Sequence, residues 1–449
     1  MSNTYITVDE TEAFLAANPG VTWIDLILFD INGIPRGKRF RRDGIAGVAK
    51  NGLMIPSTVF VMDPRGNCIE ETGRLWETGD PDVPFRILAG SLRAVPVGDG
   101  RHAQAVISVT EPDDLCPRGV LAKQVAAFAA QGQTPVVAVE LEFYVTKPQA
   151  NGAFKLETPD GISDDPERPM TFQFDEIDAL APFIDTIYKI ADVQGLPIDA
   201  VMQESGPGQF EINLKHKADA VSAATDALLL KRAIKAAAKA HGLEATFMAK
   251  PHHDWPGSGM HLHASLIDKN GQNVFAGDPI SPLFRNAIGG LQSTMSDFMA
   301  IWAQSANAYR RYVPKNYVSL TAHWGLNNRN VALRIPRATG PGTRVEHRVA
   351  GADANPYLVL AAILAGMRHG IANKVEPGPM ANGDVNGTPA PELPTIWFNA
   401  LERFRASDVV RDAFGAEFQK VYYSLKQTER TEFERVVTSL DHAWYAQIA

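Results

Sequence analysis

The chain has 449 residues, a formal net charge of −8 and 45% hydrophobic residues. This length suggests about two to four domains, with enough apolar material for a large buried core. Lys and Arg are dispersed rather than gathered into a stripe, which argues against a nucleic-acid scaffold and leaves any small anionic substrate to be held by local arginines.

In chain order, MSNTYITVDE lacks the basic start and apolar run of a leader. The first hundred or so residues carry strand-like runs punctuated by Gly, Pro and Asp: TWIDLILFD, the turn INGIPRG, and STVFVMD before PRGN. They predict a small strand-rich unit. Glu111 to Gly119, with Pro112, Pro117 and adjacent acids, marks a boundary, and a helical pattern follows from Val120 to Ala130. This divides the chain into residues 1–113 and 114–449. Ala218 to His241 is the strongest helix, rich in Ala, Leu and Lys and stopped by Gly242. Glu376 to Pro394 is a Pro/Gly/Asn-rich loop, and Ala400 to Tyr445 reads as helices with charged outer faces. The longest apolar helix, around Tyr357 to Met367, is too short to span a bilayer. Cys68 and Cys116 lie far apart without metal-ligand spacing, so no disulfide framework or zinc site is expected and a reducing cytoplasm fits.

Several strands have one apolar and one chemically loaded face. In Val136 to Val145, Val137, Val139, Leu141, Phe143 and Val145 share a side, leaving Ala138, Glu140, Glu142 and Tyr144 on the other. In QFEINLK, Gln209, Glu211 and Asn213 alternate with Phe210, Ile212 and Leu214; in GMHLHASL, His261, His263 and Ser265 alternate with apolar neighbours. TRVEHRVA places Arg344, Glu346 and Arg348 together, and NVALRIP places Asn330, Ala332 and Arg334 together. A lone E-x-E is usually a solvated strand face. Four or more such faces, scarce in Lys, are an odd way to meet water. If they converge, several carboxylates repel unless a cation is present. Glu140, Glu142, Glu204, Glu211, His261, His263 and Glu346 therefore read as a two-metal cluster. Carboxylates with an occasional imidazole suit Mg²⁺ or Mn²⁺ better than Zn²⁺, and nearby arginines suit phosphate or carboxylate groups. Metals and arginines around an anion suggest phosphoryl transfer. His252, His253 and Asp254 read as surface polar residues and His347 as a core histidine. The glycines of GPGQF and PGSGM form no Walker A or dinucleotide fingerprint and instead permit close backbone approach to a ligand.

The blocks VELEFYV, ESGPGQFEINL, ATFMAKPHHDWPGSGMHLHASL, NNRNVALRIPRA and TRVEHRVAGADANPYL, with FDINGIPRGK near the start, resemble the signature stretches of the glutamine synthetase superfamily in order and separation. The resemblance implies an α+β chain: a β-grasp N-terminal domain and a catalytic domain with a curved antiparallel sheet flanked by helices. It further implies stacked, dodecamer-like rings with sites at subunit boundaries. By position it assigns Glu142, Glu204 and Glu211 to one metal and Glu140, His261 and Glu346 to a second. His263, Ser265 and Arg344 fall on ATP-binding positions, Arg329 and Arg334 on catalytic phosphate-facing ones, and Gly257, Arg311 and Arg348 on glutamate-binding ones. The implied reaction passes through an acyl phosphate, from which a nitrogen nucleophile displaces phosphate.

Departures from the ammonia-using pattern bear on that nucleophile. In RRYVPKNYVSL, Tyr317 stands where the resemblance places a flap glutamate, and GLMIPSTVFVMD, with Pro56, Ser57 and Thr58, replaces a DGSS-like latch. Tyr317 and Ser57 are thus the expected amine-pocket residues. The pattern is similar to the glutamate–amine ligases that make γ-glutamylputrescine or other γ-glutamylamides. No Tyr lies between Val375 and Pro394, so control by nucleotidylation there is not expected. Alternatives are a glutamine synthetase using ammonia, a phosphotransferase to a guanidino or amine acceptor, and a non-catalytic structural or regulatory homologue, although the latter should lack metal ligands that this chain keeps.

Overall fold

The computed structural model describes residues 4–448 apart from 112, 149–154, 166–170, 278–279, 315–316 and 337–338. The first strand, β1 (Trp23–Phe29), is a nearly continuous apolar run, the pattern of a strand covered on both faces. It is followed by β2 (Pro35–Arg41), β3 (Leu53–Pro56), β4 (Asp82–Ile87), β5 (Arg93–Val95) and β6 (His102–Val109). They form a six-stranded sheet in the order β2-β1-β6-β4-β3, with β5 on β6. β1 and β6 are parallel; the other pairs are antiparallel.

Two expectations for this unit are corrected. STVFVMD does not form a strand: Ser57–Phe60 is a 3₁₀ helix, and β3 precedes it. Asp80 holds its first turn, accepting from the Thr58 amide at 3.2 Å and the Thr58 hydroxyl at 2.9 Å. That local bonding competes with the strand the β-branched residues would otherwise favour. Nor is INGIPRG wholly a turn, because β2 already begins at Pro35. Asp30 closes the turn early by accepting from the amides of Asn32 and Ile34, both at 2.9 Å. Proline is tolerated at the first residue of this edge strand.

The second sheet contains β7 (Gln133–Thr146), β8 (Ile198–Gln203), β9 (Gln209–Leu214), β10 (Glu244–Thr246), β11 (Met260–Asp268), β12 (Trp324–Leu326), β13 (Leu333–Ile335) and β14 (Val345–His347). Its order is β12-β13-β14-β11-β7-β9-β8, with β10 on β7. The expected antiparallel pairing holds except between β12 and β13, which are parallel. NVALRIP contributes only the three residues of β13 to the ladder, so its alternation extends beyond the strand.

Val137, Val139, Leu141, Phe143 and Val145 are all buried, with Phe210, Ile212, Leu262, Ala264 and Leu266 in the same core. Helices Pro117–Ala129, Ala220–Ala240 and Pro356–Asn373 share that core. Each fully buried large apolar side chain contributes roughly 1.5–3 kcal/mol. This pins the register, because a one-residue slip would turn the apolar set out and the acids in. Helix Ala220–Ala240 is capped by Asp219, whose side chain accepts from the Ser222 amide, and is followed by Gly242 at φ +68°. Helix Pro117–Ala129 starts earlier than the pattern predicts, with Pro at its first turn. Of the expected boundary, Pro112 lies outside the described residues. Four C-terminal helices run from Trp397 to Tyr445. Among the described residues no helix is long and apolar enough to cross a membrane.

A second core, built mainly from residues 6–116, fills the N-terminal unit. The units meet through FDINGIPRGK. The Asn355 side chain caps helix Pro356–Asn373 and also donates to the Asp30 carbonyl at 2.9 Å, while Lys426 donates to Asn32 Oδ1 at 2.6 Å.

Candidate active site

The pleat and register of five strands bring the cluster together. Across β7, Glu140 stands opposite His261 on β11 and Asn213 on β9, and Glu142 stands opposite Glu211. Farther along, His263 faces Glu346, and Glu346 faces Arg334. Directly opposed residues on one sheet face have Cβ atoms about 4.5–5.5 Å apart, so the polar face predicted from alternation is a single constellation. Glu204 lies just past β8, where its amide donates to the Gln209 carbonyl at 2.8 Å.

Glu140 is the hub. His263 Nε2 lies 2.7 Å from its Oε1 and His261 Nδ1 3.3 Å from its Oε2. His261 also lies 3.9 Å from both Glu142 and Glu346. Glu346 is 1% exposed and receives Arg334 at 2.6 Å on one oxygen and Arg348 on the other. Arg344 Nε donates to His263 Nδ1 at 3.1 Å.

The acids divide into two electrostatic classes. Burial would raise Glu140, but the hydrogen bonds of His261 and His263 outweigh it and hold the carboxyl well below the usual range. Burial likewise opposes ionisation of Glu346, yet the neighbouring His261 and Arg348 bring it down to about 2. Glu204 goes the other way, to about 7, through burial and the charge of Glu142. Glu211 is pushed up to about 9 by burial and by Glu140, Glu142 and Glu204. These two carboxyls keep protons because no cation among the described groups reaches them strongly enough, which is the electrostatic demand a divalent ion would meet. Two triads have ligand atoms within 4.8 Å of one another: Glu140, Glu211 and His261, and Glu140, His263 and Glu346. Asn213 Oδ1, beside Glu140, is buried without a hydrogen-bond partner. The donor set therefore fits hard divalent cations.

Arg311 is 2% exposed and runs beneath Gly257 and Gly259. A Cβ on Gly257 would lie 2.7 Å from both the Ala249 carbonyl and Arg311 Cγ. One on Gly259 would meet Arg311, His261 and Glu142 at 3.1, 3.2 and 3.3 Å. Ser265 is buried on β11. Arg329 is exposed in a turn, and its charge reaches Glu204. Tyr317 is 75% exposed, and Ser57 opens its 3₁₀ helix with its amide on the Pro81 carbonyl. Among the described residues no hydrogen bond or ion pair ties either to the cluster. His347 is fully buried against Trp302, at 4.4 Å between ring centroids, and burial drives it down to about 3, so it is a core histidine as expected. His253 and Asp254 are exposed; His252 is half-buried against Trp255.

Gly259, one of the PGSGM glycines expected to permit close backbone approach, donates its amide to Glu142 Oε2 at 2.7 Å; sequence reasoning missed this bond. It also missed Gln209, which donates to the Gly257 carbonyl at 3.1 Å, and Tyr144, which donates to the Pro256 carbonyl at 2.8 Å. The signal was present: Gln209 and Tyr144 fall on the polar side of their strands, and Gly259 immediately precedes the His strand.

A family model described as glutamine synthetase, catalytic domain, matches residues 114–445. γ-Glutamylputrescine synthetase PuuA of Escherichia coli (strain K12) is 38% identical, covering 97% of this chain and 94% of its own. A glutamate–isopropylamine ligase of Pseudomonas sp is 31% identical, covering 93% and 94%. The solved structure of GmaS without ligand superposes with a TM-score of 0.84 at 26% identity, covering 97% of this chain and 99% of that one. Ligases of this kind use ATP and divalent metal, which the carboxylate–imidazole cluster fits. The chain belongs to the glutamine synthetase family and is an ATP-dependent carbon–nitrogen ligase.

Proposed function

We propose that the protein joins glutamate to a primary amine, putrescine or another polyamine or a small alkylamine, giving a γ-glutamyl amide by way of γ-glutamyl phosphate. The reading rests on a carboxylate–imidazole cluster that fits divalent metal, together with Tyr317 at the sequence position where the resemblance places a flap glutamate. An aromatic side chain offers apolar surface to an amine's alkyl part and no carboxylate to collect ammonium. The similarity to γ-glutamylputrescine synthetase and glutamate–isopropylamine ligase supports the same reading.

Glu142, Glu204 and Glu211 would hold one Mg²⁺ or Mn²⁺ ion, and Glu140, His261 and Glu346 a second. When bound, these ions would neutralise charge on the transferring phosphoryl group. His263, Ser265 and Arg344 face the nucleotide. Arg329 and Arg334 stabilise the moving phosphoryl group, and Arg311, Arg348 and Gly257 position glutamate. An oxygen of the γ-carboxylate bonds to the γ-phosphorus as ADP leaves. The amine nitrogen then bonds to the acyl carbon as phosphate leaves and a proton is lost. Tyr317 and Ser57, the latter from a neighbouring subunit's N-terminal unit, shape the amine pocket. This requires the homo-oligomer of stacked rings, built from an N-terminal unit of residues 1–113 and a catalytic unit of 114–449, working in the cytoplasm.

Steady-state turnover with ammonium, methylamine, ethanolamine, putrescine and spermidine tests the proposal. A primary amine should give the highest kcat/KM. If ammonium does, the protein is a glutamine synthetase instead.

A further inference from the structure

Apart from the carboxylate cluster, a cavity of about 680 Å³ opens between helix Ala220–Ala240, the 32–35 segment and helix Ala416–Glu434. Its volume lies within the range of small-molecule sites, roughly 300–1,000 Å³, and none of the clustered Glu and His residues lines it. Lys231, Lys235 and Lys239 stand on its wall at i, i+4 and i+8, one face of the helix. Like charges at that spacing repel by roughly 0.2–0.5 kcal/mol per pair.

Two other cations of this cavity are held by acids. Arg232 is paired with Asp25 at 2.8 Å and Lys426 with Glu429 at 2.9 Å. Lys231 donates to the carbonyls of Ala352 and Ala354 at 2.6 and 3.1 Å. Lys235 and Lys239, both exposed at the cavity rim, have no ion-pair partner among the described residues. Burial pushes Lys231, deeper in the cavity, down to about 7, a penalty that an anion there would relieve. Phe247 lies beneath, 5.6 and 5.9 Å from the Lys231 and Lys235 ammonium groups, with Leu228 adding apolar wall.

We infer that this cavity binds a small organic anion, its phosphate or carboxylate held by Lys235 and Lys239 and its apolar body seated against Phe247. The site adjoins the substrate arginine. Asp353, on the cavity wall, accepts from Ser305 at 2.8 Å through Oδ2, and its Oδ1 is buried without a partner. A Cβ on Gly351 would lie 2.5 Å from Asp353 Oδ1 and 3.4 Å from Arg311, so a single glycine separates the two. Occupancy of the cavity therefore shifts the affinity for glutamate, a consequence that rests on the role proposed above for Arg311.

Calorimetric titration of phenyl phosphate and of phenylacetate into the full-length protein, with ADP saturating the nucleotide site, tests the binding. At least one probe should bind, and Lys235→Gln with Lys239→Gln should weaken it at least tenfold; the tighter probe tells phosphate from carboxylate. Absence of binding by both probes under ADP, or an affinity unchanged in the double variant, overturns the site. In turnover assays the tighter probe should move the glutamate KM at least threefold in the wild type and not in the double variant. An unmoved KM overturns the coupling alone. Lack of glutamate-dependent turnover with calorimetric binding intact would count against the proposed function and not against the cavity.

Discussion

Metal binding should expel protons, in a number that falls as pH rises. In the metal-free protein Glu211 titrates at about 9 and Glu204 at about 7, whereas Glu140 and Glu346 are already ionised at neutral pH. At pH 7 these values leave Glu211 mostly and Glu204 partly protonated, so filling both metal positions should release between one and two carboxyl protons. The release should approach two near pH 6 and fall toward one near pH 8. Titration with Mn²⁺ in two buffers of different ionisation enthalpy measures the release directly. Stability is linked to it. Both carboxyls have folded values above the ordinary 4.5, so their contribution is fully present below pH 4.5 and lost as pH rises through 7 and then 9. Thermal midpoints of the metal-free protein should therefore fall from pH 5 to 7, above which the lowered Lys231 opposes the decline, and saturating Mn²⁺ should flatten it. A release near zero at pH 6, or one that grows with pH, would falsify the assignment of a shared cation to these carboxylates.

Three substitutions probe the surroundings. Glu346→Gln removes the charge between Arg334 and Arg348, and breaking a buried pair of this kind costs about 3–5 kcal/mol; denaturant unfolding should register the loss, and a change below about 1 kcal/mol would mean that solvent screens the arginines. Gly259→Ala places a methyl group against Arg311, His261 and Glu142, so kcat should fall at least tenfold while the far-UV circular dichroism spectrum is retained. Tyr317→Glu should raise the ratio of ammonium to amine kcat/KM at least tenfold; an unchanged ratio would remove Tyr317 from the amine pocket.

The carboxylate–imidazole cluster was legible because its strands are long and two-faced. In β7 a buried apolar residue alternates with each acid from Val137 to Phe143, and a period of two leaves little choice of face. Glu346 was harder, since β14 has three residues and all are buried, so only its neighbours in sequence placed it. The 3₁₀ helix at Ser57 was missed because its cause, Asp80, lies 22 residues away. The parallel β12–β13 pair depends on partners that no local pattern names. Amine selection is less legible than phosphoryl chemistry for a related reason. Carboxylates must converge to bind metal, whereas Tyr317 sits in an exposed segment and Ser57 in the other unit.

His263 is where geometry decides between two roles. It offers a ring nitrogen close enough to Glu140 and Glu346 to complete a ligand triad, yet the resemblance assigns it to the nucleotide. The hydrogen bonds argue against the first role. Arg344 Nε is a donor with no lone pair, so His263 Nδ1 must accept at 3.1 Å. In that tautomer Nε2 carries the hydrogen and donates it to Glu140 Oε1 at 2.7 Å. A nitrogen so occupied offers no lone pair to a cation. His263 instead holds Glu140 in place while Arg344 fixes the ring, and losing a partner that orients a metal-facing carboxylate typically costs about 10–100-fold in metal affinity or activity. His263→Gln should therefore keep the full Mn²⁺ stoichiometry and raise the ATP KM, whereas His261→Gln should lose one ion. Loss of an ion in the His263 variant would move that residue into the metal shell and free Arg344 for the nucleotide alone.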